Sequence, residues 1–288
     1  MPFPKKKSTM VNRTGIHDRE KNLTYGETKM KNQLKQKLQS GTKVMGTMQQ
    51  IADPAVSEAL GVSGIDFFVA DMEHAPFDAE NFRAIVMAAE LRGITPICRV
   101  KNVNKDYVQQ ALDVGAMGIV APGIESPQEV RELVRHAKYI PDGNRGICFT
   151  RTSAFGYADF AMNLSEYIKI CNEQTLVIPQ CETKQCVENI EEIAAIPGVD
   201  VIFIGPSDLS VSLGCPGEFD NPLYKDAIKR TLAACEKFGK YAFMFAAGAE
   251  LAKASLEDGF SGVVIGTDID VMIRGYRSTF SEVMQGRR

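Results

Sequence analysis

Ile65-Asp66-Phe67-Phe68-Val69-Ala70-Asp71-Met72-Glu73-His74-Ala75-Pro76 decides how this chain is read. The run is apolar enough for a parallel strand buried on both faces. It ends abruptly in two carboxylates and an imidazole. In an α/β barrel, strand C-termini share one face and build the active site there. A strand that delivers Asp71, Glu73 and His74 at that end therefore suggests both an architecture and a location for chemistry.

Outward from this strand the same alternation repeats. Upstream, Leu34 and Leu38 mark a helix over 31–40, and 43–49 reads as a first strand. Asp53 with Pro54 opens a helix in the manner of an N-cap and first helical residue. Downstream, strands are expected at 95–100, 118–124, 176–182, 201–205, 241–247 and 262–266. Helices are expected at 77–92, 104–114, 127–139, 184–195, 223–238, 250–258 and from about 269. Eight strand–helix units over about 250 residues imply a (β/α)8 TIM barrel. No GxGxxG or P-loop supports an open doubly wound sheet. Two connections are long, 141–159 and 205–222, and their Arg, Asp and Gly content marks both as candidate functional loops.

The composition is ordinary for a globular chain of 288 residues, 44% hydrophobic and 24% charged. A net charge of -3 argues against nucleic acid as a partner. No apolar run reaches the roughly 18 residues of a membrane span. Seven cysteines without a CxxC or a zinc spacing suit reduced thiols and a cytoplasmic location. Residues 1–30 hold seven Lys or Arg against three Asp or Glu and no apolar signal segment. They read as a basic, mobile tail, with His17 solvated in it, ahead of one barrel domain over 31–288.

Polar residues gather at the expected strand ends. Asp71, Glu73 and His74 follow strand two, Arg99 strand three, Glu182 strand five and Asp208 strand six. Glu182 and Asp208, without Cys or His beside them, suit a hard divalent ion such as Mg2+ or Mn2+. The alternatives are that Asp208 caps a helix and Glu182 pairs with Arg99 or Arg145. His74, with a neighbouring carboxylate, could act as a general base. Cys98 and Cys181 alternate with Arg99 and Glu182, so they should face the helices.

Phe-Val-Ala-Asp-Met-Glu-His-Ala-Pro, Ile-Cys-Arg-Val, Leu-Asp-Val-Gly-Ala, Pro-Asp-Gly-Asn-Arg-Gly, Pro-Gln-Cys-Glu-Thr and Phe-Ile-Gly-Pro-Ser-Asp-Leu-Ser occur in that order. From about residue 32 onward the chain resembles the HpcH/HpaI family of class II, metal-dependent pyruvate aldolases. The resemblance implies a TIM barrel and a homohexamer, a trimer of dimers built by helix exchange. It implies that Glu182 and Asp208 ligate the metal, with Co2+ or Zn2+ as alternatives to Mg2+ and Mn2+. Arg99 would bind the C2 oxygen of pyruvate, and His74 with Asp71 would activate a water as base. Gln180 would sit beside the metal, and the amides of Gly205, Pro206 and Ser207 would hold the pyruvate carboxylate. Asp113 would reach a neighbouring subunit's site, and Arg145 would support the rim. Many relatives carry a Trp at the end of strand one; this chain offers Met48 and Gln49 there.

The expected reaction is reversible cleavage of a 4-hydroxy-2-oxo acid to pyruvate and an aldehyde through a pyruvate enolate. No Lys ends a strand where a Schiff base would need one. The nearest alternative forms the same enolate by decarboxylating oxaloacetate. A phosphate-binding barrel isomerase is more remote, with only a thin glycine loop after strands seven and eight. A non-catalytic barrel would be marked by loss of Glu182, Asp208 or Arg99, and all three are present.

Overall fold

In the computed structural model, which describes residues 30–285, eight parallel strands close into a barrel in chain order. They are β1 (Val44–Gln49), β2 (Phe67–Asp71), β3 (Thr95–Arg99), β4 (Gly118–Ala121), β5 (Leu176–Cys181), β6 (Val201–Ile204), β7 (Tyr241–Ala246) and β8 (Gly262–Thr267). The expected tail and His17 lie outside the described residues.

Helix α1 (Gln33–Gln39) precedes the barrel, and α2 (Pro54–Val62), α3 (Ala79–Arg92), α4 (Lys105–Val114) and α5 (Pro127–Ala137) follow the first four strands. Local chemistry sets their ends. Asp53 caps α2 ahead of Pro54, and Asp78 with Asn81 forms a capping box on α3. Gly93 ends α3 in the left-handed conformation, φ 68°.

Strand side chains alternate between two cores. Phe67, Val69, Ile97, Ile178, Phe203 and Phe243 fill the barrel interior. Phe68, Ala70, Cys98, Val177 and Cys181 pack outward against the helices, as expected for the two thiols. The interior is tight: a Cβ on Gly46 or Gly262 would stand 2.6 Å from the ring of Phe67 or Phe243 respectively. Those two rings lie 5.4 Å apart and need both glycines.

Helix α1 plugs the N-terminal mouth. Leu34 and Leu38 belong to the interior core. Asn32 caps α1, and its amide donates to the carbonyls of Met117 and Gln174 at 2.9 and 2.8 Å.

The long segment 141–159 lies at this same mouth, which corrects its reading as a site loop. It follows a helix, and in a (β/α) unit the chain after a helix has returned to the strand N-termini. The segment leads into α6 (Leu164–Gln174), a helix the sequence reading passed over. Its signal was present, an Asn163 cap before Leu164, Tyr167 and Cys171. Tyr139, Phe160, Tyr167 and Cys171 form a satellite core under this segment.

The remaining helices are α7 (Lys184–Glu188), α8 (Ile190–Ala195), α9 (Pro206–Ser212), α10 (Pro222–Phe238), α11 (Ala249–Glu257) and α12 (Asp268–Gln285). α9 occupies part of the second long connection. In α12 only Asp268 is buried. Met272, Ile273, Tyr276, Phe280, Val283 and Met284 run along it at helical spacing and stay exposed in the single chain.

Candidate active site

The inward positions of β2, β3 and β5 continue past the apolar core to the C-terminal mouth. Phe67 and Val69 lead to Asp71, Ile97 leads to Arg99, and Leu176 and Ile178 lead to Gln180. The period of two that packs the barrel thus aims these polar side chains over it.

Asp71 is fully buried and accepts from every side. Its Oδ1 takes Arg99 Nε at 3.1 Å and the backbone N–H groups of Glu73 and His74 at 3.2 and 3.1 Å. Its Oδ2 takes Arg99 Nη2 at 2.9 Å and Gln50 Nε2 at 3.1 Å. Burial pushes this carboxyl up, but the Arg99 bond and charge, with Gln50 and the His74 amide, hold it below its ordinary value.

Arg99 Nη1 also reaches Glu73 Oε2 at 3.2 Å. Burial raises the Glu73 carboxyl against the pull of Arg99 and His74, and the Asp71 and Asp208 charges add to the rise. The His74 ring is largely exposed, and its Nε2 lies 3.7 Å from Glu73 Oε2. Asp71 meets His74 through the backbone amide, so the carboxylate beside the imidazole is that of Glu73.

Glu182 is buried at the mouth. Its Oε1 accepts from the Gly123 N–H at 2.7 Å and its Oε2 from Gln180 Nε2. It is paired with neither Arg99 nor Arg145. Burial pushes its carboxyl up, the Gly123 amide opposes this, and the Asp208 charge adds to it. Asp208 stands exposed in the first turn of α9, which has no side-chain cap. A capping role for Asp208 is thereby set aside.

The expected carboxylate cradle is narrower than the sequence implied. The Gly205 N–H is spent on the Cys181 carbonyl at 3.3 Å, and proline has no N–H. Of the three residues, Ser207 has the amide left without a helical acceptor, and Asp208 beside it has another. Gly205 is needed for space: a Cβ there would lie 2.6 Å from Glu182 Oε2 and 2.9 Å from Gln180 Nε2.

Asp113 and Arg145 are not at this mouth. Asp113 ends α4 just before β4, and Arg145 follows α5, so both lie toward the strand N-termini. They pair at 2.7 Å, and the Arg145 guanidinium lies 4.8 Å from the centre of the Tyr139 ring. Arg145, expected to support the rim, thus stands away from this mouth in the single chain.

Gln50, just after β1, escaped the sequence reading, and Asp268, the first residue of α12, entered it only as the end of the thin glycine loop after β8. Only the contact with Asp71 reveals Gln50. Gln49, one of the two residues the chain offers at the end of strand one, is buried and turned away from the mouth. Its amide ties the Ile51 and Asp53 carbonyls and Ser57.

The residues present fit a hard divalent cation. Among the described residues no three His, Cys, Asp or Glu side chains form a ready cage. Glu182 and Asp208 instead supply a two-carboxylate, oxygen-only set in which the Asp208 charge pushes the Glu182 carboxyl up. Beside it, Gln180 Oε1 is buried without a partner.

The profile of the HpcH/HpaI aldolase/citrate lyase family matches residues 48–275. The chain belongs to this family. As an HpcH/HpaI member it is a carbon–carbon lyase. It is 33% identical over 257 residues to a hydroxypyruvate/pyruvate aldolase of Roseobacter denitrificans, covering 88% of this chain and 98% of that one. It is 32% identical to a 5-keto-4-deoxy-D-glucarate aldolase of Shigella sonnei, over 79% of this chain and 87% of the relative. An HpcH/HpaI aldolase/citrate lyase family protein from Burkholderia cenocepacia superposes with a TM-score of 0.82 at 32% identity. That match covers 88% of this chain and 99% of the solved one.

Proposed function

We propose that this HpcH/HpaI lyase reversibly cleaves a 4-hydroxy-2-oxo acid to pyruvate and an aldehyde through a pyruvate enolate. The observation that carries the reading is the convergence of Arg99, Glu182 and Asp208 at one mouth, with Arg99 held rigidly by Asp71 and Glu73. Glu182 and Asp208 would hold a divalent ion, with Mg2+ or Mn2+ suiting the all-oxygen donor set. When bound, such an ion supplies Lewis-acid stabilisation of charge on the 2-oxo oxygen.

Arg99 places fixed positive charge at the same oxygen, where negative charge grows as the carbon–carbon bond breaks. The first-turn amides of Ser207 and Asp208 receive the substrate carboxylate. His74, exposed at the mouth and beside Glu73, takes the proton of the 4-hydroxyl, directly or through one water, and returns it in condensation. The phosphate-binding alternative loses support, because Asp268 fills the end of β8 with a carboxylate bound to the Gln50 and Ile51 amides.

The assembly belongs to the same proposal. The exposed apolar stripe of α12 suits docking on another copy in a homohexamer, and Asp113, steadied by Arg145, would face a neighbour's site. Mixing dissociated His74→Ala and Asp113→Ala chains should then restore activity in hybrids; none in confirmed hybrids would show self-contained sites. Among the described residues no helix is long and apolar enough to cross a membrane. All seven cysteines are free, in keeping with a reducing cytoplasm.

The test is a panel of aldehydes with pyruvate and Mg2+ or Mn2+, with and without EDTA. Aldol product that forms with the ion and disappears with chelator is expected. Full activity in the metal-stripped protein would overturn the role given to Glu182 and Asp208.

A further inference from the structure

Gln50 is the first residue after β1, and its side chain reaches across the mouth to Asp71 Oδ2 at 3.1 Å. The loop that carries it is pinned from two directions. On the outer side, the buried Gln49 amide holds the carbonyls of Ile51 and Asp53. On the other, both oxygens of Asp268 accept from this loop: Oδ1 from the Gln50 N–H at 3.0 Å and Oδ2 from the Ile51 N–H at 2.9 Å. Asp268 is buried, and its Oδ1 also takes the Ile269 N–H at 2.8 Å. A buried carboxylate spent on two amides of a distant loop fixes that loop's position closely.

We propose that Gln50 is a positioning residue of the lyase reaction and that Asp268, at the head of the last helix, sets its position. The relay runs from Asp268 through the Gln50 backbone and side chain to Asp71, and from Asp71 to Arg99. Asp71 Oδ2 has two side-chain donors, Gln50 Nε2 and Arg99 Nη2. With the first removed, Oδ2 is left to Arg99 Nη2 alone, so the tilt of the carboxylate, and with it the aim of the guanidinium, is set less tightly. The inference rests on the proposal that Arg99 meets the 2-oxo oxygen of the substrate, where a small misalignment costs rate more than binding.

The experiment follows exchange of pyruvate methyl protons with D2O by NMR, in the full-length protein with Mg2+. Exchange needs the enolate alone and no aldehyde. Gln50→Leu removes the donor at similar size from a half-buried position. It should lower the kcat of exchange about tenfold with a much smaller change in the KM for pyruvate. Asp268→Asn should lose a comparable factor. The double variant should be no worse than the poorer single, because both act on one relay. Gln50→Met repeats the donor loss with a different packing shape and should match Gln50→Leu. Melting temperature and oligomer size identify any variant that has merely come apart.

Parental exchange rates in well-folded Gln50→Leu and Gln50→Met would overturn the proposal. So would losses that multiply in the double variant. If the parent itself fails to exchange, the enolate reading falls, and this inference falls with it.

Discussion

At the N-terminal mouth of the barrel, Lys35 reaches Asp200 at 2.7 Å, Lys37 pairs with Asp66, and Lys138 lies 4.0 Å from Asp200. At the C-terminal mouth, Asp71, Glu73, Glu182 and Asp208 gather around Arg99, with the His74 ring beside Glu73. Both ends close the same apolar interior with polar groups. One end ties its lysines to carboxylates or backbone carbonyls and is sealed by a helix. The other keeps carboxylates in excess, with burial raising Glu73 and Glu182 and a buried Gln180 oxygen unpartnered. Like charges held together cost stability, so their persistence at one mouth supports the site proposed there for a cation and an anionic substrate. The difference also separates two settings of a buried charge: Lys138 ties the Asn172 and Thr175 carbonyls, whereas Arg99 is held by Asp71 and Glu73 at the open mouth.

That contrast can be broken first at the carboxylates. Glu182→Gln or Asp208→Asn should reduce metal-dependent cleavage about a thousandfold or more, with the barrel still folded by circular dichroism. A folding defect with retained turnover per folded molecule would make Glu182 a structural residue, and the two mouths would then not differ in kind.

Arg99→Lys should lower kcat about a hundredfold, since a mobile ammonium cannot reproduce the fork that spans Asp71 and Glu73. Aldol cleavage and oxaloacetate decarboxylation share the pyruvate enolate, so both rates should fall by a similar factor. If decarboxylation survives while cleavage is lost, Arg99 serves the aldehyde half of the substrate.

At the sealed mouth the expectation reverses. Leu34→Ala should cost about 2–5 kcal/mol in denaturant unfolding, because Leu34 is fully buried inside the plug. The kcat measured well below the unfolding midpoint should stay within about twofold of the parent. A large loss of turnover in the folded state would mean that the plug shapes the distant site.

The smallest effect is a pH dependence at the same end. Burial pushes the Lys138 ammonium down to about 8, against the pull of Asp200. The folded chain therefore releases this proton before the unfolded chain, whose lysine keeps its ordinary value of 10.5. Between those values the unfolded state binds more protons, so this group's contribution to stability rises with pH. Relative to Lys138→Met, the parent should gain stability from pH 8 toward 10.5. A constant difference across that range would show Lys138 titrating normally.

Much of the barrel was legible because its signals are local. Apolar runs of strand length ending at Asp71, Arg99 and Cys181, and helices bounded by Asp53, Gly93 and Gly115, need no distant partner to be read. The segment before β5 was misjudged for the opposite reason. A long connection has no local mark of which mouth it serves, and only the strand–helix alternation places 141–159 at the sealed end.

The sequence by itself determined the alternation of strands and helices, and through the period of two it determined which side chains face inward. Asp71 and Arg99 on one face and Cys98 on the other follow from covalent geometry along a strand. Tertiary structure alone decided which of these groups meet. It turned Asp71 onto Arg99 and Gln50 and set Glu73 beside the His74 ring. It also spent the Gly205 amide on Cys181 and paired Asp113 with Arg145. Barrel closure and loop packing bring together residues distant in the chain, such as Gln50 and Asp268, and no pattern within either segment encodes that contact.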